Sequence, residues 1–482
     1  MELVSPQRTT EGRLTQLSGR RVLVIGMGRT GLATARFLRD READVLLTDT
    51  RPAAELTHNL AAAEQLGVAT QAECRHLPTS GYELAVISPG LSIEDAMVAR
   101  AIAGGLRVVS EVELASWFCT RPIVAVCGTN GKGTVCTLLG DMLASGGKRA
   151  VVAGNIGAPL IGEIDRINDS DVVVAEVSSF QLEGVESFRP AIAVLLNITP
   201  DHLERHGTFE SYVAAKSRLF ANQALFDLAV LNGDDRNVVR AARTGRARRA
   251  FFTLTGRPDC GGWVRDGQLM LDLGDRGGPE RLCGVREVPL QGAHNLSNVL
   301  AASIAAAALG VGLNALADAI RRYRPQPYIL ERVAELDGVV FVNDSKATNE
   351  AAAAAALEAL EPPILLIAGG SDKGGDFRQL AQAAARRVKA VFLIGDCGPR
   401  IAERLAEAGG PSSRLCASLR EAVHEARRAA VAGDTVLLSP GCASFDQFRD
   451  YADRGAQFRR IVEEMPAGDA GSGSEGPEAS AT

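Results

Sequence analysis

Along this chain, short runs of β-branched and aliphatic residues end abruptly in glycine or polar residues, then give way to stretches whose apolar positions recur at three and four. The first, "RVLVIGMGRTGLATARFLRD", predicts a strand, a glycine turn and a helix that turns Leu32, Ala35, Phe37 and Leu38 to a core. "ADVLLTD", ending at Asp49, "LAVISPG" and "RVVSEVEL" read as further strands and complete a small α/β unit by Trp117. A second block runs from "PIVAVCGTNGKGTVC" through "DVVVAEVSSFQ", "AIAVLLNITPDH" and "DLAVLNGDD", and the helix after "GAHNLSNV" closes it. Before that helix, Arg248 to Pro289 is glycine-rich with weak alternation and predicts a smaller β excursion. Past "RRYRPQPY" come "VVFVNDS", "PILLIAGG", "VKAVFLIG" and "DTVLLSPG", separated by alanine-rich amphipathic helices in a βαβ rhythm. The expected domains are 1–117, 118–325 and 326–466, with a polar tail, 467–482, predicted to be disordered. Ligands of open α/β sheets gather at the carboxyl ends of strands, so the polar tails of these runs are predicted to converge.

Composition changes this picture only by exclusion. The 482 residues, 46% hydrophobic and 23% charged, are ordinary for a globular protein of more than one core. A net charge of −6 gives no electrostatic case for nucleic acid or an anionic membrane. Nine cysteines without a CxxC pair or a His/Cys cluster read as reduced packing residues of a cytoplasmic protein. "MELVSPQRTTEGRL" carries no apolar leader core. The longest uncharged run, Asn295 to Ala317, is alanine-rich with polar interruptions and predicts a buried helix rather than membrane insertion.

The candidate chemistry begins at "GTNGKGT", Gly128 to Thr134, which offers free backbone N–H groups and Lys132 at a helix start, the requirements for holding a polyphosphate. Val126 stands where the usual phosphate loop has its first glycine, and Gly133 where it has a hydroxyl, so a metal-binding hydroxyl falls to Thr134. Glu176, closing the strand of "DVVVAEVSSFQ", could be a surface acid alone, but with Thr134 it makes a Mg²⁺ site on a triphosphate. "NITPDHLERHG" sets Asp201, His202 and His206 after a third strand; His202 reads as a ligand or positioning residue, although a lone histidine is more often structural. Lys216, in "SYVAAKSRLF", reads on its own as a solvated helix lysine. "GMGRTG" followed by Asp49 leaves an NAD(P) site, a nucleotide-sugar diphosphate and an empty structural turn all open. In the third block, "NDSKATN" with Asp344, Lys346 and Thr348, "GGSDKGGDF" with Lys373 and "SPGCASFDQF" with Ser444 are either three helix caps or one shared anion site, and their succession favours the second.

Together "GTNGKGT", "GNIG", "EVSSFQLE", "NITPDHLERH", "YVAAKSRLF", "GAHNLSN", "NDSKATN" and "SPGCASFDQF" resemble the Mur ligases, from about Arg20 to Met465, and most closely their D-glutamate-adding branch. The resemblance implies an α/β fold of three domains. An N-terminal Rossmann-like domain would hold the UDP end of the substrate, a central P-loop-type ATPase domain would follow, and a C-terminal Rossmann-like domain would close over the amino acid. It implies a cytoplasmic, monomeric ligase that uses ATP and two Mg²⁺ ions to join UDP-N-acetylmuramoyl-L-alanine to D-glutamate through an acyl phosphate. By the same resemblance, Thr30, Asp49, Thr50, Arg51 and Ser88 contact the uridine diphosphate, and Asn155 and Ser178 the rest of that substrate. Gly128, Thr129, Asn130, Gly131, Lys132, Gly133 and Thr134 hold the ATP phosphates, with Asn295 and Asp344 on the adenine nucleotide. Thr134, Glu176 and His202 take the metal, while Lys132, His202 and a carbamylated Lys216 serve catalysis. Lys346, Thr348, Lys373, Ser444 and the backbone near Tyr451 bind D-glutamate.

One departure stands out. Where the family has His-Arg at the start of the third domain, this chain has Tyr328 and Ile329, so a phosphate contact is either lost or passes to Arg332. The rival readings are a hydride-transfer enzyme using the first glycine turn, a Mur-type ligase for another amino acid, a folate glutamylating enzyme, and a weakly active nucleotide-binding homologue.

Overall fold

A computed structural model describes residues 15–274, 278–372 and 374–465. The first sheet contains β1 (Arg21–Ile25), β2 (Asp44–Thr48), β3 (Ala69–Gln71), β4 (Leu84–Ile87) and β5 (Arg107–Ser110), in the order β3-β2-β1-β4-β5 with every neighbour parallel. Helices cover its faces, which is why β1 and β4 read as near-continuous apolar runs rather than alternating ones. The glycine turn after β1 is dictated by packing. A Cβ on Gly31 would lie 1.8 Å from the Gly26 carbonyl oxygen, and Gly26 itself has φ of 101° with Ser88 2.9 Å from where its Cβ would be.

The central sheet has nine strands: β6 (Ile123–Cys127), β7 (Ala150–Gly154), β8 (Val172–Glu176), β9 (Ile192–Leu195), β10 (Leu228–Asn232), β11 (Arg248–Thr253), β12 (Gly261–Arg265), β13 (Gln268–Asp272) and β14 (Glu280–Gly284). Their order is β14-β13-β12-β11-β10-β9-β6-β8-β7. The glycine-rich region predicted to be a smaller β excursion supplies β11 to β14, which extend this sheet, and only β12 to β14 pair antiparallel. The third sheet orders β15 (Glu331–Leu336), β16 (Val339–Asn343), β17 (Ile364–Gly369), β18 (Val388–Ile394), β19 (Ser413–Leu415) and β20 (Thr435–Leu438) as β15-β16-β20-β17-β18-β19.

Two expectations need correction. "RVVSEVEL" is a strand only to Ser110, whose side chain accepts the Glu113 N–H and starts the helix Glu111–Phe118, so a cap overrides the β-branched pattern. The long uncharged run is two helices, Ala293–Ala308 and Leu313–Arg322, broken where Gly310 takes φ of 89°. No helix among the described residues is long and apolar enough to cross a membrane.

Contacts divide the chain into two compact units. Among the described residues, one comprises those up to 198, 205–289 and 295–323 and holds the first two sheets; the other comprises 199–204, 290–294 and 324–465, with the third sheet. Within the first unit, buried Glu113 accepts the N–H groups of Glu186 (3.0 Å), Ser187 (2.9 Å) and Phe188 (2.8 Å), the Ser187 hydroxyl (2.6 Å) and the Trp117 indole N–H (2.7 Å). The tail 467–482 lies outside the described residues.

Candidate active site

Because β1, β2 and β4 run parallel, the turns at their carboxyl ends come together. Thr30 lies in the first turn of the helix Arg29–Arg39, and Ser88 Oγ donates to the Gly26 carbonyl at 3.1 Å. Buried Asp49 accepts the Met27 N–H at 2.8 Å and takes Arg51 Nε and Nη2 at 2.9 and 2.8 Å. Burial pushes its pKa up, but the Arg51 guanidinium and the backbone N–H groups outweigh burial and hold it at about 2. Thr50 and Arg51 are exposed beside it. The five expected UDP contacts therefore share one end of the sheet.

At the central sheet, β6 runs into Gly128–Gly131 and the helix Lys132–Ser145. Gly131 is left-handed at φ of 86°, and a Cβ there would meet Asn298 Oδ1 at 2.5 Å, so glycine is required both by the turn and by this close approach. Asn197 clamps the loop: its Oδ1 accepts the Asn130 N–H at 2.8 Å and its Nδ2 donates to the Asn130 carbonyl at 3.0 Å. Lys132 Nζ folds back to donate to the Gly128 and Thr129 carbonyls, each at 3.0 Å. Gly133 and Thr134 are buried in the first helical turn. Pairing of β6 with β8 sets Val126 opposite Glu176, whose Oε1 accepts Asn155 Nδ2 at 2.7 Å. Ser178 caps the next short helix through a capping box with Gln181. Asn298 Nδ2 donates to Asn295 Oδ1 at 3.1 Å, one turn along the same helix.

Lys216 corrects the sequence reading of a solvated lysine. It is 1% exposed, with Nζ 3.8 Å from Cys127 Sγ and 4.5 Å from the centre of the Tyr212 ring, and among the described residues no carboxylate pairs with it. Tyr212 in turn shares a 3.0 Å hydrogen bond with the Thr129 hydroxyl, which ties this lysine to the loop.

The second unit carries the other cluster. Asp344 is buried; it accepts the Ser439 hydroxyl at 2.7 Å and the Leu330 N–H at 3.1 Å, yet burial still pushes its pKa up to about 7. Lys346 Nζ donates to Gln326 Oε1 at 2.9 Å and lies 5.9 Å from the Tyr451 ring. A cavity of about 260 Å³ is lined by Asp201, Thr348, Asn349, Ser371, Phe377 and Cys442, and Asn349 Nδ2 donates to Asp201 Oδ2 at 3.1 Å. Ser444 is buried beside it in sequence, and Lys373 lies outside the described residues. His202 takes φ of 55°, uncommon for a side-chain-bearing residue, and its N–H donates to Asp201 Oδ1 at 3.0 Å. It belongs to this unit, whereas Thr134 and Glu176 belong to the first. Among the described residues no three His, Cys, Asp or Glu side chains form a ready-made metal cluster. Tyr328 stacks edge-on with Tyr451 at 6.5 Å, and Arg332, the expected substitute at Ile329, is exposed and paired with Glu335.

Sequence reading missed Asn197, Tyr212 and Asn298. Each braces the loop from a different element, and each stands inside a motif quoted above, Asn197 opening "NITPDHLERH", Tyr212 opening "YVAAKSRLF" and Asn298 in "GAHNLSN", without having been read as a brace.

Asp344 and Glu111 share a property with a measurable consequence. Both carboxyls are buried and raised to about 7, from 3.8 and 4.5. A folded state that holds these protons more tightly than the unfolded chain has a contribution that is complete below pH 4 and is lost as pH rises through 7. Relative to Asp344→Asn, wild-type protein is expected to lose on the order of 3 kcal/mol of stability between pH 5 and pH 8, read by calorimetric melting. A pH-independent difference between the two would show that Asp344 is ionised throughout.

Three sequence families match the chain in order. They are the MurD-like N-terminal domain of Mur ligases over 20–110, the Mur ligase middle domain over 126–306, and the Mur ligase glutamate ligase domain over 330–442. The UDP-N-acetylmuramoylalanine-D-glutamate ligase of Pelotomaculum thermopropionicum is 44% identical, covering 94% of this chain and 100% of that protein. Its namesake from Acidobacterium capsulatum is 43% identical, covering 93% and 97%. Among solved structures, a pseudomurein peptide ligase type C from Methanothermus fervidus covers 92% of this chain and 99% of its own at 17% identity, with a TM-score of 0.60. The MurF ligase of Thermotoga maritima, in complex with ADP, covers 93% and 99% at 18% identity, with a TM-score of 0.57. At such identities these two structures speak to fold alone.

Proposed function

The chain belongs to the Mur ligase family, and from that premise we propose that it joins D-glutamate to UDP-N-acetylmuramoyl-L-alanine, driven by ATP, as a cytoplasmic monomer. The observation that carries the reading is the braced loop Gly128–Lys132 beside buried Glu176 and Lys216, in a chain 44% identical to a ligase of that name.

An amide does not form from a carboxylate and an amine in water, so the carboxylate must first be activated. The alanine carboxylate attacks the γ-phosphorus of ATP, ADP leaves, and an acyl phosphate remains. The D-glutamate amine then attacks its carbonyl, and phosphate departs. In this scheme the loop N–H groups and Lys132 cradle the β- and γ-phosphates and offset charge on the transferring oxygens. Thr134 and Glu176 fit Mg²⁺, a hard ion that takes oxygen donors from few side chains and leaves the rest to phosphate and water. When bound, Mg²⁺ would supply charge neutralisation at the phosphoryl oxygens. Thr30, Asp49, Thr50, Arg51 and Ser88 would hold the uridine diphosphate, Asn155 and Ser178 the rest of that substrate, and Asn295 and Asp344 the adenine nucleotide. Lys346, Thr348, Lys373, Ser444 and Tyr451 would take D-glutamate, with His202 positioning the reacting phosphate.

Phosphate release is expected only when ATP, UDP-N-acetylmuramoyl-L-alanine and D-glutamate are all present, with L-glutamate silent. Equal release with L-glutamate, L-lysine or diaminopimelate would move the protein to another specificity within the family.

A further inference from the structure

Glu111 is a buried acid that the scheme above does not use. It is 1% exposed at the start of the helix Glu111–Phe118, and its Oε1 accepts the Ile161 N–H at 2.6 Å. The Gln181 amide and the Leu160 N–H lie near enough to stabilise negative charge on it, yet its Oε2 is buried and, among the described residues, meets no partner at full hydrogen-bond geometry. Two residues along, Glu113 satisfies its carboxylate with five hydrogen bonds, so an orphaned carboxylate oxygen is not the rule for this helix.

Gln181 shows what Glu111 supports. Its Oε1 accepts both the Ser178 N–H at 2.9 Å and the Ser178 hydroxyl at 3.1 Å. A backbone N–H can only donate, so the amide oxygen must face Ser178 and the NH₂ must face away, towards Glu111. On the other side, Leu160 and Ile161 follow the turn closed by the Gly154 N–H to the Ala158 carbonyl at 2.8 Å, which carries Asn155. One carboxylate thus stands behind both segments that present the expected sugar-peptide contacts.

We propose that Glu111 is a positioning residue for the UDP-N-acetylmuramoyl-L-alanine side of the reaction, acting through Gln181 on Ser178 and through the Leu160–Ile161 turn on the Asn155 loop. The proposal rests on the function given above. It predicts that Glu111→Val raises KM for the UDP substrate about tenfold, the effect of one or two lost buried hydrogen bonds, while KM for ATP and for D-glutamate shift less than about twofold. Glu111→Gln, which keeps an acceptor for the Ile161 N–H, is expected to recover most of the loss. Should the valine variant fail to fold, calorimetric titration of Gln181→Met with UDP-N-acetylmuramoyl-L-alanine reads the same relay from its other end, with about tenfold weaker binding expected. An unchanged KM for the UDP substrate, or three KM values rising together, overturns the positioning role alone. Wild-type protein that neither binds this substrate nor releases phosphate overturns the function beneath it, and the proposal with it.

Discussion

Replacing Lys132 by alanine is expected to lower ATP-dependent phosphate release by about three orders of magnitude, with melting temperature and circular dichroism near wild type. Three orders correspond to about 4 kcal/mol of transition-state stabilisation, the scale of one preorganised donor aimed at developing oxyanion charge. The fold should tolerate the change because Lys132 is only partly buried and its partners are two carbonyls of its own loop. Asn197 and the left-handed Gly131 still shape that loop. A variant that turns over at near-normal rates would remove the phosphate role from this lysine.

The second large effect is expected at Lys216. Its Nζ sits in the interior with a thiol and an aromatic face for company and, among the described residues, no carboxylate partner. A carbamate on Nζ would put an anion there able to orient a metal-bound phosphate, which gives this placement a use. Lys216→Ala is expected to lose about two to three orders of magnitude in kcat, and formate or acetate should restore part of it by occupying the vacated space. Activity flat across added carboxylate would argue that the amine itself, unmodified, is what the site needs.

Much of this was readable in advance because parallel strands buried on both faces leave an apolar signature, and their polar ends mark the binding edge. The loop Gly128–Thr134 declared itself through glycines that the backbone requires, and Asp49 through its place at the end of β2. What escaped was decided by tertiary contact. Helical spacing does not distinguish Lys216 from a solvated helix lysine; the resemblance of "YVAAKSRLF" singled it out, and its burial beside Cys127 and Tyr212 is a tertiary fact. Glu111 and Glu113 look like ordinary first-turn acids that favour a helix start, yet both are buried because the helix packs against another sheet's connections. The departure at Ile329 was visible, but not that Arg332 would be tied to Glu335 along the same strand.

The five bonds gathered by Glu113 bear on how substrate is captured. Three consecutive amides of one sheet's connection are pinned to a helix of its neighbour, so the turns bearing Ser88 and Asp49 and the loop bearing Lys132 belong to one cross-braced compact unit. Sugar nucleotide and triphosphate would then meet a surface whose ordering entropy was lost at folding rather than at binding.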